Sequence, residues 1–478
     1  MTSKSTTTAT QLSKLSAIDW DPAPHQLVCV KKIISQATAG ILIDPGMRKT
    51  SISLAAFKIL KKKKIVDCLI VVAPLRPCYL VWPKEIAKWK DFNDLKSVVL
   101  HGSRKEESIS TDADIYLINP EGLPWLTTGK RMRKLIGKRK FALCVDESSM
   151  FKRSNTVRFR NLKKLMKWMD RRWILTGSPA PNGLADLFGQ MYILDYGRAL
   201  GEYMTAYRQR YFSPTGWGGL SWAINEGADK LIHKKIKHLV VSMKAEDHIK
   251  MPKIVPLRVE VELPVDAMIK YQEMETELIT KVGKNEVTAF NAGTSMGKCS
   301  QIANGTVYDE KKKKVHVHDA KAEALQELVA ELNGQPVLIA YEYDHDRDAI
   351  IKALGNIPDL GRCSMKEALK LEAAWNRGEI DKMMGQPASV GHGLNLQESG
   401  HHVIWFSLIW NYEHYDQFIR RIRRSGQKAK RVFVHHIVAL GTVDEVKMIT
   451  LEGKATTQNA LFAALKTYVN RKKLSKTR

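Results

Sequence analysis

The sequence predicts an α/β protein built from two parallel-sheet lobes. Three observations carry that prediction. From about residue 41 to 194, short apolar runs alternate with helical segments, the pattern of strand–helix–strand units in a parallel sheet. The pattern breaks at Val240–Asp247, and Pro252, Pro256 and Pro264 follow with extended apolar alternation between them. Strand and helix signals then alternate again from about residue 320 to 406. A chain of 478 residues has room for two or three domains.

Composition excludes several classes. A hydrophobic content of 44% suits a globular core. No apolar run reaches the roughly eighteen residues of a membrane span. The Ser- and Thr-rich stretch Met1–Ser16 has no apolar segment, so it reads as a flexible tail and not a signal peptide. The six cysteines are scattered and form no Cys-x-x-Cys pair, which argues against a zinc knuckle or a disulfide framework and fits a reducing cytoplasm. Lys and Arg number 76 against 50 Asp and Glu, a net charge of +26. A field of that sign attracts polyanions, with nucleic acid the first candidate.

Taken in order, Asp21–Gln26 is loop-like and Leu27–Gln36 is helical. The amide of Gln26 could read the donor–acceptor edge of an adenine. Ile41–Ile43 is a short buried strand, Asp44, Pro45, Gly46, Met47 and Arg48 form a tight loop, and a helix spans Ser51–Leu60. A loop of backbone N–H groups feeding a helix N-terminus cradles phosphate. Lys49 would reach the outer phosphates and Thr50 would hold Mg²⁺. The match to the P-loop pattern is incomplete: Arg48 stands where Gly precedes the Lys, and Ile43 stands where the first Gly falls. A plain strand–turn–helix junction would read much the same.

Cys68–Pro74 is a buried strand stopped by proline, and Trp82–Trp89 begins a helix with Pro83 in its first turn. Ser97–Leu100 and Asp114–Pro120 are further strands. Phe141–Ser149 runs an apolar strand into two carboxylates, Asp146 and Glu147, at the strand end where parallel sheets bind ligands. Asp146 can hold Mg²⁺ and Glu147 can polarise an attacking water. Arg172–Asn182 is a strand ending in Thr176, Gly177, Ser178 and Pro179, groups able to sense a neighbouring carboxylate. Gly183–Leu194 is helical.

Tyr196–Lys237, with Trp217-Gly218-Gly219, is an insertion, helical or rich in loops, that could contact DNA; its Tyr203, Tyr207, Tyr211 and Phe212 read as packing groups. In the second half, Tyr271–Lys281, Ala320–Leu332, Asp344–Leu354 and Ala368–Arg377 are helical. Lys311–Lys314 is a loop or hairpin turn, and Pro336–Tyr341, Lys382–Gln386 and Val403–Phe406 are strands. Helical spacing places Gln417, Arg421 and Arg424 on one face. Such arginines suit either a γ-phosphate or a DNA backbone.

In this order and spacing, the landmarks resemble the superfamily-two helicases, and within them the Swi/Snf-like DNA-dependent ATPases, especially compact phage versions. The resemblance runs from about His25 to about Asp444. Gln26 stands for the adenine-reading Gln; Gly46, Lys49 and Thr50 match motif I. Ala73-Pro74 is similar to motif Ia, Asp146-Glu147-Ser148-Ser149 to the Asp-Glu-Ala-His box, and Leu175–Pro179 with Asn182 to motif III. Met251-Pro252-Lys253 resembles the linker, and Gln301–Gly305 a stretch early in the second lobe. Gly391–Gln397 is similar to motif V, and Trp410-Asn411 with Gln417–Gln427 to motif VI. Three departures stand out: Arg48 for the motif I Gly, Ser148-Ser149 for Ala-His, and Arg423 for a common motif VI His.

The resemblance implies two RecA-like lobes with an ATP cleft between them. It implies a nucleotide site of Gln26, Asp44–Ser51 (thus Met47, Arg48, Lys49, Thr50 and Ser51), Asp146 and Gly393. Mg²⁺ would sit on Thr50 and Asp146. The catalytic set would be Lys49, Asp146, Glu147, Gln417, Arg421 and Arg424, with the last two as fingers. Segments 1–18 (tail), 19–245 (first lobe), 246–319 (linker and approach to the second lobe), 320–465 (second lobe) and 466–478 (basic tail) are expected. The implied activity is an ATP-dependent DNA translocase or helicase, monomeric and acting in the cytoplasm of a phage-infected host. The alternatives are a helicase-fold DNA-binding module without hydrolysis, or an RNA-directed helicase.

Overall fold

A computed structural model describes residues 17–180, 183–215, 221–283, 289–390 and 393–452. The N-terminal tail up to Ser16, Asn182, Trp217-Gly218-Gly219, Gly391-His392 and the basic tail lie outside the described residues. The chain divides into two compact units, Met1–Lys250 and Met251–Arg478.

In the first unit, helix α1 (Pro24–Ser35) leads into β1 (Thr38–Ile43), and α2 (Lys49–Lys62) into β2 (Cys68–Val72). Helix α3 (Trp82–Lys88) precedes β3 (Ser97–Val99), β4 (Ile115–Ile118) and β5 (Phe141–Asp146). Then come α4 (Val157–Met166), β6 (Arg171–Thr176) and α5 (Leu187–Asp195). The insertion folds as α6 (Met204–Tyr211), an antiparallel hairpin of β7 (Phe212–Thr215) and β8 (Ser221–Ile224), and α7 (Ala228–Ile236). Strand β9 (Val240–Met243) follows. Seven strands form a sheet in the order β3-β4-β2-β5-β6-β1-β9, and every pairing is parallel.

The apolar runs have a simple cause. Every residue of β2, β4 and β5 is buried, as expected of strands covered by helices on both faces. Two expectations needed correction. Val240–Met243, where the alternation was expected to break, is the edge strand beside β1. The insertion contains a hairpin as well as helices, and Tyr207, Tyr211 and Phe212 close the core beneath it while Tyr203 is exposed.

The second unit opens on β10 (Lys253–Val261), inside the stretch expected to be a linker. A small antiparallel hairpin of β11 (Thr306–Tyr308) and β12 (Lys314–His316) has the second lysine run at its turn. Helix α8 (Ala320–Glu331), β13 (Val337–Ala340), α9 (Asp344–Leu354), α10 (Met365–Asn376), β14 (Lys382–Gly385), β15 (His402–Trp405), α11 (Tyr412–Ile419) and β16 (Arg431–Ala439) follow. The sheet order is β10-β16-β15-β13-β14, again parallel throughout. Each unit is thus an α/β layer structure around its own parallel sheet, the fold class the alternation predicts.

Candidate functional site

The register of the first sheet brings three landmarks together at the C-terminal ends of neighbouring interior strands. Leu42 of β1 pairs with Thr176 of β6, and Asp146 of β5 pairs with Leu175 of β6. The loop after β1, the carboxylates after β5 and the turn after β6 therefore leave adjacent strands at the same level. Glycine makes the approach possible. A Cβ at Gly177 would lie 2.5 Å from Cδ of Pro45, so only a residue without a side chain lets the β6 turn rest on the β1 loop.

The loop turns through positive φ twice before the helix begins. Gly46 has φ 88° and Arg48 lies in the left-handed region at φ 57°, ψ 46°. Helix α2 starts at Lys49 with no side-chain cap from Arg48, and its first turn carries no acidic residue. Its orphan N–H groups and positive dipole end thus face the loop without a built-in anion. The Lys49 ammonium donates to the carbonyls of Ile43 at 2.9 Å and Asp44 at 3.2 Å. Asp44 in turn accepts from Ala245 N at 2.9 Å, fastening the loop to the segment after β9.

Asp146 is buried, with Oδ2 accepting from the Trp82 indole at 3.0 Å and Oδ1 from Glu147 N at 3.1 Å. Burial first, and the neighbouring Glu147 charge second, push its carboxyl up to about 6; Trp82 and Lys49 pull the other way. A carboxylate penalised in this way, beside a second one, is a donor set that a divalent cation satisfies. Asp146 and the Thr50 hydroxyl are the groups that would hold Mg²⁺. Glu147 has φ 52°, a strained setting for a non-glycine residue, and is only partly buried.

Gln26 is fully buried. Its Oε1 accepts from Ala23 N at 3.0 Å and its Nε2 donates to Ser51 Oγ at 3.0 Å. The amide therefore fastens α1 to α2. Ser51 also donates to Arg48 O at 2.9 Å, within the loop.

In the second unit, the guanidinium groups converge on one carbonyl. Arg421 Nη1 and Arg424 Nη1 donate to Leu394 O at 3.1 and 3.2 Å, and Arg424 also donates to Asn395 Oδ1. Arg421 is buried, whereas Arg424 is half-buried. Gly393, at φ 87°, turns the chain into this stretch. Gln417 donates to Glu413 at 3.3 Å. The helix expected through Arg424 stops at Ile419. Arg421 Nε donates to the Gln417 carbonyl at 3.1 Å, the acceptor its own backbone N–H would use in an α-helix. That N–H goes to Phe418 O instead, and the chain continues in tight turns. The arginines still meet, through turns and not along a helix face.

Some contributors were missed from sequence. Trp82 holds the Asp146 carboxylate, and Ser148 and Gln190 join the second and third landmarks as described below. A tryptophan at a helix start was a visible signal; the Gln190 contact is purely tertiary and left none.

Residues 25–320 match the profile of the SNF2-related domain. The chain belongs to the SNF2-related family. It is 32% identical to protein p41 of Acyrthosiphon pisum secondary endosymbiont phage 1, across 93% of this chain and 98% of that protein. It is 24% identical to the Bos taurus DNA annealing helicase and endonuclease ZRANB3, across 81% of this chain but 36% of the relative. Among solved structures, the Sulfolobus solfataricus SWI2/SNF2 ATPase core in complex with dsDNA aligns at 22% identity and TM-score 0.44, covering 91% of each chain. SNF2-related proteins are Swi/Snf-like superfamily-two helicases, a family of DNA-dependent ATPases and translocases. No described helix is long and apolar enough to cross a membrane.

Proposed function

We propose that this protein hydrolyses ATP to ADP and phosphate when it binds DNA, and uses the cycle to move along DNA. The observation that carries the reading is the meeting of Lys49, Asp146, Glu147 and the Thr176–Pro179 turn at the C-terminal end of a parallel sheet. Each residue has a definite task. Loop N–H groups and Lys49 bind the phosphates. Asp146 and Thr50 would hold Mg²⁺, which would supply charge neutralisation on the phosphates. Glu147 orients the attacking water and accepts its proton. Arg421 and Arg424, the two motif VI guanidiniums, both donate to Leu394 O and hold the motif V backbone in place.

DNA is supported as the partner by the net charge of +26 and by exposed basic faces. Arg153, Arg158, Arg160, Lys164 and Lys167 are exposed on and beside α4, just after the carboxylates. Lys230, Lys234, Lys235 and Lys237 are exposed along α7. The relative ZRANB3, a DNA annealing helicase and endonuclease, agrees with that partner. Contacts of this kind read phosphates, with little base specificity.

The competing reading is a DNA-binding module that does not hydrolyse ATP. Glu147→Gln separates the two. The variant should bind ATP·Mg²⁺ and DNA like the parent and release phosphate at least about a hundredfold more slowly. Equal, negligible phosphate release by parent and variant would favour the module.

A further inference from the structure

We propose that Gln190 is a positioning residue that ties the carboxylate pair to the motif III turn, a link that rests on the ATPase reading above. Gln190 lies on α5 and is fully buried. Its Oε1 accepts a hydrogen bond from Ser148 Oγ at 2.8 Å. Its Nε2 donates to Pro179 O and to Asp186 O, the latter at 3.0 Å. One amide therefore binds the residue directly after Glu147 and the residue directly after Ser178. The acceptor and both N–H donors have partners, so neither neighbour can shift without breaking a buried bond.

The surroundings leave little slack. A Cβ at Gly189 would lie 2.1 Å from Phe151 O and 2.8 Å from Lys152 O, so the backbone of α5 presses on the turn that follows the carboxylates. Lys152 and Asp186 form an ion pair at 3.6 Å across the same junction. Glu147 sits at φ 52°, a conformation that persists only where neighbours over-determine it. The Ser148–Gln190 bond is one of those constraints. The box position that holds His in the resembling family holds Ser149 here. The link runs instead through Ser148, one residue earlier, and through an amide on the following helix. A rearrangement of the Thr176–Pro179 turn would thus be felt at Glu147 through two hydrogen bonds.

A purely structural amide would affect stability alone, so the test reads kinetics. Steady-state phosphate release is measured for the full chain with and without duplex DNA, varying ATP, alongside thermal unfolding. Gln190→Leu is expected to keep KM for ATP within about twofold and to lower the DNA-stimulated kcat about tenfold, cutting the ratio of stimulated to basal rate. Ser148→Ala, which deletes one hydroxyl and spares the bonds to Pro179 and Asp186, should move kcat the same way by a smaller factor. The double variant should be no slower than Gln190→Leu. An unchanged stimulated-to-basal ratio in folded Gln190→Leu overturns the link, as does a rise in KM with kcat intact. If Gln190→Leu does not fold, Ser148→Ala decides alone, and an unchanged kcat overturns it. If the parent shows no stimulation by DNA, the ATPase reading itself has failed and the link falls with it.

Discussion

Arg48 turns left-handed directly before the helix, two residues after Gly46 has done the same. The preference for glycine there is steric: a Cβ crowds the following carbonyl, at a cost of about 1–2 kcal/mol. The Arg48 side chain is exposed, so it recovers little of that through packing. Arg48→Gly should raise stability by about 1 kcal/mol in urea unfolding with an unchanged m-value. A loss of stability would mean that the guanidinium makes a contact worth more than the strain. Its effect on turnover is equally informative: faster release marks Arg48 as merely tolerated, and slower release marks it as recruited. Gly177 is the opposite case. Its missing side chain is what lets the β6 turn rest against Pro45, because a Cβ there would lie only 2.5 Å from Pro45 Cδ. Gly177→Ala should cost about 1–3 kcal/mol of stability, the usual penalty of overpacking, and slow phosphate release by separating the turn from the loop. Unfolding and ATPase assays on the one variant check both.

At the level of elements, β16 shows how a strand can escape sequence reading and still govern behaviour. It lies between β10 and β15, yet His435 and His436 interrupt its apolar run, so no continuous buried strand stood out. Both histidines are buried, as is His402 on β15. His402 Nδ1 and His435 Nε2 face each other at 3.0 Å, a contact that needs one N–H and one lone pair. His436 bonds to Tyr415 OH at 2.8 Å. Burial pushes all three, and His318, down from 6.5 to about 4. The unfolded chain therefore binds protons that the folded chain refuses. Their contribution to stability is complete above about 6.5 and is lost as pH falls from 6.5 toward 4. Acid titration followed by tryptophan fluorescence should show the second unit losing stability in that window, and His435→Phe should blunt the slope. A flat response there would contradict the assignment of neutral, buried histidines. Other elements were legible for plain reasons. Strands β2, β4 and β5 are covered on both faces and read as unbroken apolar runs. Helix α11 was read too long because Gln417, Arg421 and Arg424 keep helical spacing, while the backbone N–H of Arg421 goes to Phe418 O and the helix stops at Ile419.

For the whole molecule, strand order could not be read, but its consequence could. Loops that follow buried parallel strands gather at the carboxyl end of the sheet, so the P-loop-like stretch and the carboxylates were legible as neighbours from the sequence. What joins them was not legible. Trp82 on Asp146, Ala245 on Asp44 and Gln190 between Ser148 and Pro179 connect residues far apart in sequence. The chain carries +26, two compact units and motif landmarks on both. The central claim is that DNA binding switches on ATP hydrolysis at the loop that ends in Lys49. The most direct measurement is steady-state phosphate release by the parent and by Lys49→Ala, with no DNA and with single-stranded, duplex and forked DNA at fixed salt. Stimulation of the parent by at least one DNA form, abolished in Lys49→Ala, is the predicted result. A parent rate indifferent to every DNA, or a Lys49→Ala rate equal to that of the parent, would contradict it.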